Sequence, residues 1–103
     1  MVELEIPFTK VPGTETERGV TVYALSTCGF CRRALEYLSN RGIAHRYVYV
    51  DTLEDDVRKI VKKQLQAEYG RRVLYPFTVA DSGETVLTGF IEPDWNMTFR
   101  EKQ

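Results

Sequence analysis

At 103 residues with 43% hydrophobic side chains, the chain fits one compact domain and has no room for a second core. Fourteen basic and fifteen acidic residues leave a net charge of −1, which removes any global electrostatic case for a nucleic-acid partner. No apolar run approaches the ~20 residues that cross a bilayer, so no membrane partner is expected either.

Residues 1–19 form an N-terminal arm ahead of a domain over residues 20–103. Val2, Leu4 and Ile6 alternate, which predicts a short strand added at a sheet edge. The stretch Lys10–Gly19, rich in proline, glycine and charge, predicts a loop. The acidic, proline-interrupted start lacks the basic-then-apolar order of a secretory signal, and a cytoplasmic location is the expectation. Val20 to Ser26 is β-branched, aromatic and uncharged, as a central buried strand would be. A helix over Gly29–Asn40 places Ala34, Leu35 and Leu38 inward and Arg32, Arg33 and Glu36 outward, with Asn40-Arg41-Gly42 as its exit.

Ile43 to Val50 reads as the next strand. Asp51 or Thr52 would then cap a second helix over Leu53–Tyr69, in which Val57, Ile60, Val61 and Leu65 recur at helical spacing. Glu54, Asp55 and Asp56 suit its positive end, Lys62 and Lys63 its negative end, and Gly70 its stop. Phe77–Ala80 and Thr85–Thr88, joined by Asp81-Ser82-Gly83-Glu84, predict an antiparallel hairpin. A last helix starts near Pro93, with Trp95 and Phe99 as packing residues. The order implies an α/β domain: a mixed four-stranded sheet with helices on both faces, plus the N-terminal strand.

The two cysteines of the chain fall in Cys28-Gly29-Phe30-Cys31, where the first strand runs into the first helix. A helix N-terminus carries unpaired N–H groups and a positive partial charge that favour an anion, so Cys28 is the expected nucleophile. Cys31, one turn on, is placed to resolve a mixed disulfide. A structural disulfide across so small a loop would remove little unfolded-state entropy. Zinc would need further ligands, and His45, on a predicted strand, is the lone histidine, so no resident metal or other cofactor is expected. An iron–sulfur cluster shared between two chains through Cys28 is the alternative from a different class. A binding module without catalysis is another.

With Tyr75-Pro76 before the third strand and Thr88-Gly89-Phe90 after the fourth, the cysteine motif resembles the thioredoxin-fold superfamily and, within it, the glutaredoxin-like proteins. The resemblance implies a thioredoxin-like fold, a cis Pro76 facing the cysteines, and a Tyr75 backbone that pairs with an extended substrate as an added strand. Phe30, Tyr75, Pro76, Gly89 and Phe90 become substrate-binding candidates beside catalytic Cys28 and Cys31, glycine permitting close approach at Gly89.

Glutathione-using glutaredoxins carry a lysine three residues before the first cysteine, where this chain has Leu25. They also carry Gly-Gly-Asp after the last strand, where it has Gly89-Phe90-Ile91-Glu92-Pro93-Asp94. The pattern is closer to the NrdH-redoxins. That likeness implies reduction by a thioredoxin reductase-like enzyme and action on a disulfide-containing protein such as ribonucleotide reductase; a monomer is expected. A glutathione-dependent glutaredoxin is the other reading within the class.

Overall fold

The computed structural model describes residues 6–99. Strands β1 (Thr9–Val11), β2 (Glu15–Ala24), β3 (Ile43–Tyr49), β4 (Phe77–Ala80) and β5 (Thr85–Thr88) form one sheet in the order β1-β3-β2-β4-β5. Helix α1 (Gly29–Asn40) links β2 to β3, α2 (Asp55–Tyr69) links β3 to β4, and α3 (Glu92–Phe99) follows β5. β2 and β3 run parallel through the α1 crossover, and every other pairing is antiparallel. This is the mixed thioredoxin-like arrangement that the order of elements implies, with five strands.

Side-chain alternation along the two central strands builds both halves of the core. Val20, Val22 and Ala24 of β2 meet Cys31, Ala34, Tyr37 and Leu38 of α1 and Trp95 and Phe99 of α3. Phe77 and Val79 of β4, with half-buried Tyr23, meet Val61 and Leu65 of α2 on the opposite face. Helices therefore cover both faces, and neither face of the Val20–Ala24 half of β2 is wet.

Several expectations need correction. Of the loop expected over Lys10–Gly19 only residues 12–14 stay outside a strand; Lys10 and Val11 belong to β1 and Glu15–Gly19 open β2, with a register shift between Glu15 and Val20 marking where pairing to β3 resumes. The edge strand sits at Thr9–Val11; Val2 and Leu4 lie outside the described residues. α2 starts two residues later than expected, because Val50–Thr52 close a 3-10 turn of their own, and Glu54 at the helix head makes no side-chain capping bond. Ile60 is 42% exposed, outside the stripe that Val61 and Leu65 bury. The last turn of α2 holds no basic residue; Gly70, at φ 60°, ends the helix by donating its N–H to Gln66 O.

α3 is held by side chains from far along the chain. Arg18 donates to both carboxylate oxygens of Asp81 at 2.6 and 2.7 Å and to Thr98 O at 2.8 Å, and lies 5.1 Å over the Phe99 ring. Tyr37 and Arg41 both donate to Asn96 Oδ1, at 2.7 and 2.8 Å. The β4–β5 turn places Asp81 and Ser82 at φ 56° and 55°, a region that L residues disfavour, and the Arg18 clamp helps to offset that cost.

Candidate active site

β2 ends at Ala24 and Cys28 caps α1, so four residues carry the chain from sheet to helix. Cys28 has extended backbone angles, and its Sγ accepts the Cys31 N–H at 3.2 Å, in the manner of an N-cap side chain. Both cysteines are free, Cys28 half-buried and Cys31 1% exposed. Cys31 Sγ accepts the Leu25 N–H at 3.4 Å. Burial, above all, pushes the Cys31 thiol up to about 12; its contact with Cys28 adds to this, the Leu25 N–H opposes it, and the charges of Cys28 and Asp51 add a little more. The pair is therefore unequal: one sulfur at the surface on a helix N-terminus, the other buried and held protonated at neutral pH.

The Tyr75–Pro76 bond is cis, and Pro76 is buried. Tyr23 pairs with Phe77, so Pro76 emerges beside the end of β2 from which the cysteine loop departs. Gly89 closes the other side. Its N–H donates to Pro76 O at 2.8 Å, and its carbonyl accepts Trp95 Nε1–H at 3.2 Å. A Cβ at Gly89 would meet nothing within 4 Å, so the reason for glycine there is its φ of 75° and not close approach. Cys28, Tyr75 and Phe90 pack at the rim of the cluster that contains Cys31 and Trp95. Phe90 is half-buried, with ring centroids 5.8 Å from Tyr37 and 5.1 Å from Trp95, and so has a packing role as well.

Phe30 differs from these. It is 58% exposed beside the thiols, its ring 6.0 Å from the Arg33 guanidinium. Leu74, 51% exposed next to Tyr75, and Ile91, 59% exposed next to Phe90, were not legible as site residues, since single apolar residues in loops carry no periodic signal. A groove of about 330 Å³ leads away from Cys28 between α1 and β3, lined by Leu25, Arg32, Leu35, Tyr47 and Tyr49. Asp51 also belongs here and not to the cap of α2, because its carboxylate accepts both the N–H and the hydroxyl of Ser26. Among the described residues no group of three or more His, Cys, Asp or Glu could hold a metal ion.

The glutaredoxin family model matches residues 20–73. A glutaredoxin from Methanosarcina mazei Go1 is 26% identical, with a TM-score of 0.75 over 91% of this chain and 88% of that one. The glutaredoxin of Archaeoglobus fulgidus is 30% identical, with a TM-score of 0.69 over 82% of this chain and 88% of its own. The methanoredoxin of Methanosarcina acetivorans shares the fold at 24% identity, with a TM-score of 0.70 over 86% and 90% of the two chains. No curated protein sequence matches.

Proposed function

The chain belongs to the glutaredoxin family, and on that footing we propose that it is a dithiol–disulfide oxidoreductase that reduces disulfides of partner proteins. Cys28 attacks one sulfur of the partner's disulfide and the other leaves as a thiolate. Cys31 then attacks Cys28, freeing the second partner sulfur and closing a Cys28–Cys31 disulfide that an upstream donor must reduce. The observation that carries this division of labour is the asymmetry of the pair: half-buried Cys28 heads a helix, while Cys31 is buried with its thiol pushed up to about 12.

Three exposed apolar side chains, Phe30, Leu74 and Ile91, lie on the three segments that surround the thiols and would contact a protein partner. Tyr75, ahead of the first β2–β4 ladder pair, would offer its backbone to an extended segment of that partner, with Pro76 and Gly89-Phe90 closing the site. The cytoplasm, a reducing compartment, suits two free thiols that cycle. Leu25 brings no charge to a glutathione carboxylate, which supports a thioredoxin reductase-like donor and an NrdH-like role with a protein such as ribonucleotide reductase as acceptor.

The test is to reduce the Cys28–Cys31 disulfide in parallel with NADPH plus thioredoxin reductase and with glutathione plus glutathione reductase, scoring thiols by alkylation and mass. Reduction by the first alone is expected. Reduction by glutathione overturns the choice of donor, and failure of both overturns the NrdH-like reading.

A further inference from the structure

Both hydrogen-bond donors of Ser26 end on one carboxylate. Its N–H donates to Asp51 Oδ1 at 2.9 Å and its hydroxyl to Asp51 Oδ2 at 2.5 Å. The register accounts for the meeting: Ala24 pairs with Tyr49 at the ends of two parallel strands, so the residues just beyond each strand emerge side by side. The Ser26 hydroxyl and N–H hold the Asp51 carboxyl below the usual carboxylate range, and hydrogen bonds to an ionised acceptor are the stronger kind.

The residue before Ser26 handles both sulfurs. Leu25 donates its N–H to Cys31 Sγ at 3.4 Å and accepts the Cys28 N–H at 3.3 Å. Loop 25–28 is thus fastened to each cysteine, and Asp51 fixes its middle. The turn that contains Asp51 does not need this contact for its own closure, since Thr52 Oγ1 already donates to Tyr49 O at 2.7 Å and Leu53 N–H to Val50 O at 3.1 Å.

We propose that Asp51 is a positioning residue of the dithiol centre: through Ser26 it aims the Leu25 N–H at Cys31 Sγ and holds Cys28 at the head of α1. The inference rests on the oxidoreductase reading above and concerns its second step. There Cys31 gives its proton to water and its sulfur bonds to Cys28 Sγ. The bond from Cys28 to the partner sulfur breaks, and the partner leaves as a thiolate that takes up a proton. Cys31 is oxidised and the partner sulfur is reduced, with no other reactant. An N–H aimed at Cys31 Sγ favours the anion that attacks. The charge of Asp51 acts the other way and raises the Cys31 thiol. Removing the carboxylate therefore slows resolution if position dominates and speeds it if charge dominates.

An aryl disulfide whose thiolate is coloured separates the steps: the first thiolate reports attack by Cys28, the second reports resolution by Cys31. Asp51→Ala is expected to slow the second release about tenfold and the first by less than about threefold. Asp51→Asn can still accept from the Ser26 N–H and can donate to Ser26 Oγ, and is expected to recover the second release to within about threefold of the parent. The proposal is overturned if Asp51→Ala, with an unchanged thermal midpoint, resolves as fast as the parent or faster, or if Asn behaves like Ala. Should Asp51→Ala fail to fold, Ser26→Ala decides. It keeps the N–H arm and is expected to slow resolution about threefold; no slowing overturns the proposal. A parent protein that releases no thiolate removes the oxidoreductase reading itself, which is a different outcome.

Discussion

The Cys31 N–H donates to Cys28 Sγ at 3.2 Å, while the Cys31 sulfur lies buried beneath it, so the helix that presents the attacking thiol also encloses the resolving one. Burial, chiefly, holds the Cys31 thiol protonated up to about pH 12, whereas in the unfolded chain it ionises near pH 9. Between those values the unfolded state binds fewer protons than the folded state, so stability falls as pH rises. Urea unfolding of the reduced protein should show a loss beginning near pH 9 that is missing from Cys31→Ala. Equal slopes for the two proteins would contradict the raised thiol.

Phe30 is 58% exposed and contributes little to the core, so Phe30→Ser should leave the thermal midpoint nearly unchanged. Loss of its apolar contact should raise KM about threefold to tenfold for a protein disulfide, with little change for a small one such as hydroxyethyl disulfide. Steady-state kinetics on the two substrates check this, and an equal effect on both would place Phe30 outside the docking surface.

Arg18 joins β2, the Asp81 turn and the Thr98–Phe99 end of α3. Arg18→Ala should cost about 1–2 kcal/mol in chemical denaturation, more than a single surface ion pair, because one guanidinium makes all these contacts. Arg18, first, and then the Thr85 hydroxyl hold the Asp81 carboxyl down at about 2. A lowered carboxyl contributes stability above its unfolded value, near 3.8, and loses it as pH falls toward 2. Parent and Arg18→Ala should therefore draw closer in stability across that acid range, keeping the difference that the Thr98 O and Phe99 contacts make.

Thr78 is 1% exposed on the interior strand β4, and among the described residues its hydroxyl has no hydrogen-bond partner. Thr78→Val keeps the branched shape and removes the unpaired group, so it should raise stability by about 1 kcal/mol, read as a higher thermal midpoint. A lower midpoint would mean that the hydroxyl has a partner in solution.

α1 was legible to the residue, because a capping position, an apolar stripe and an Asn-Arg-Gly exit agree along Gly29–Asn40. The first half of β2 was not. Glu15–Gly19 has no buried face, and its strand form comes with pairing to β3, across tens of residues. Asp51 shows the same limit at the site. Its type announces a cap or a turn, but its partner Ser26 stands 25 positions away, and only the parallel register of β2 and β3 brings the two together. The cysteines themselves were readable because strand end, helix start and spacing are all local. The flanking Leu74 and Ile91 depend on which loops the fold gathers at one end of the sheet.

The rim of the sheet is formed by its shorter strands, Thr9–Val11 between Pro7 and Pro12 on one side and Thr85–Thr88 on the other, while the ten-residue β2 and seven-residue β3 lie inside. In the proposed cycle, each turnover links this chain covalently to another protein, the circumstance in which an open, long strand would invite the two sheets to fuse. Rims this brief present few free backbone groups to a neighbour, so no sheet edge adds to the limited docking contacts around the thiols, and separation can follow once the sulfur–sulfur bond is exchanged.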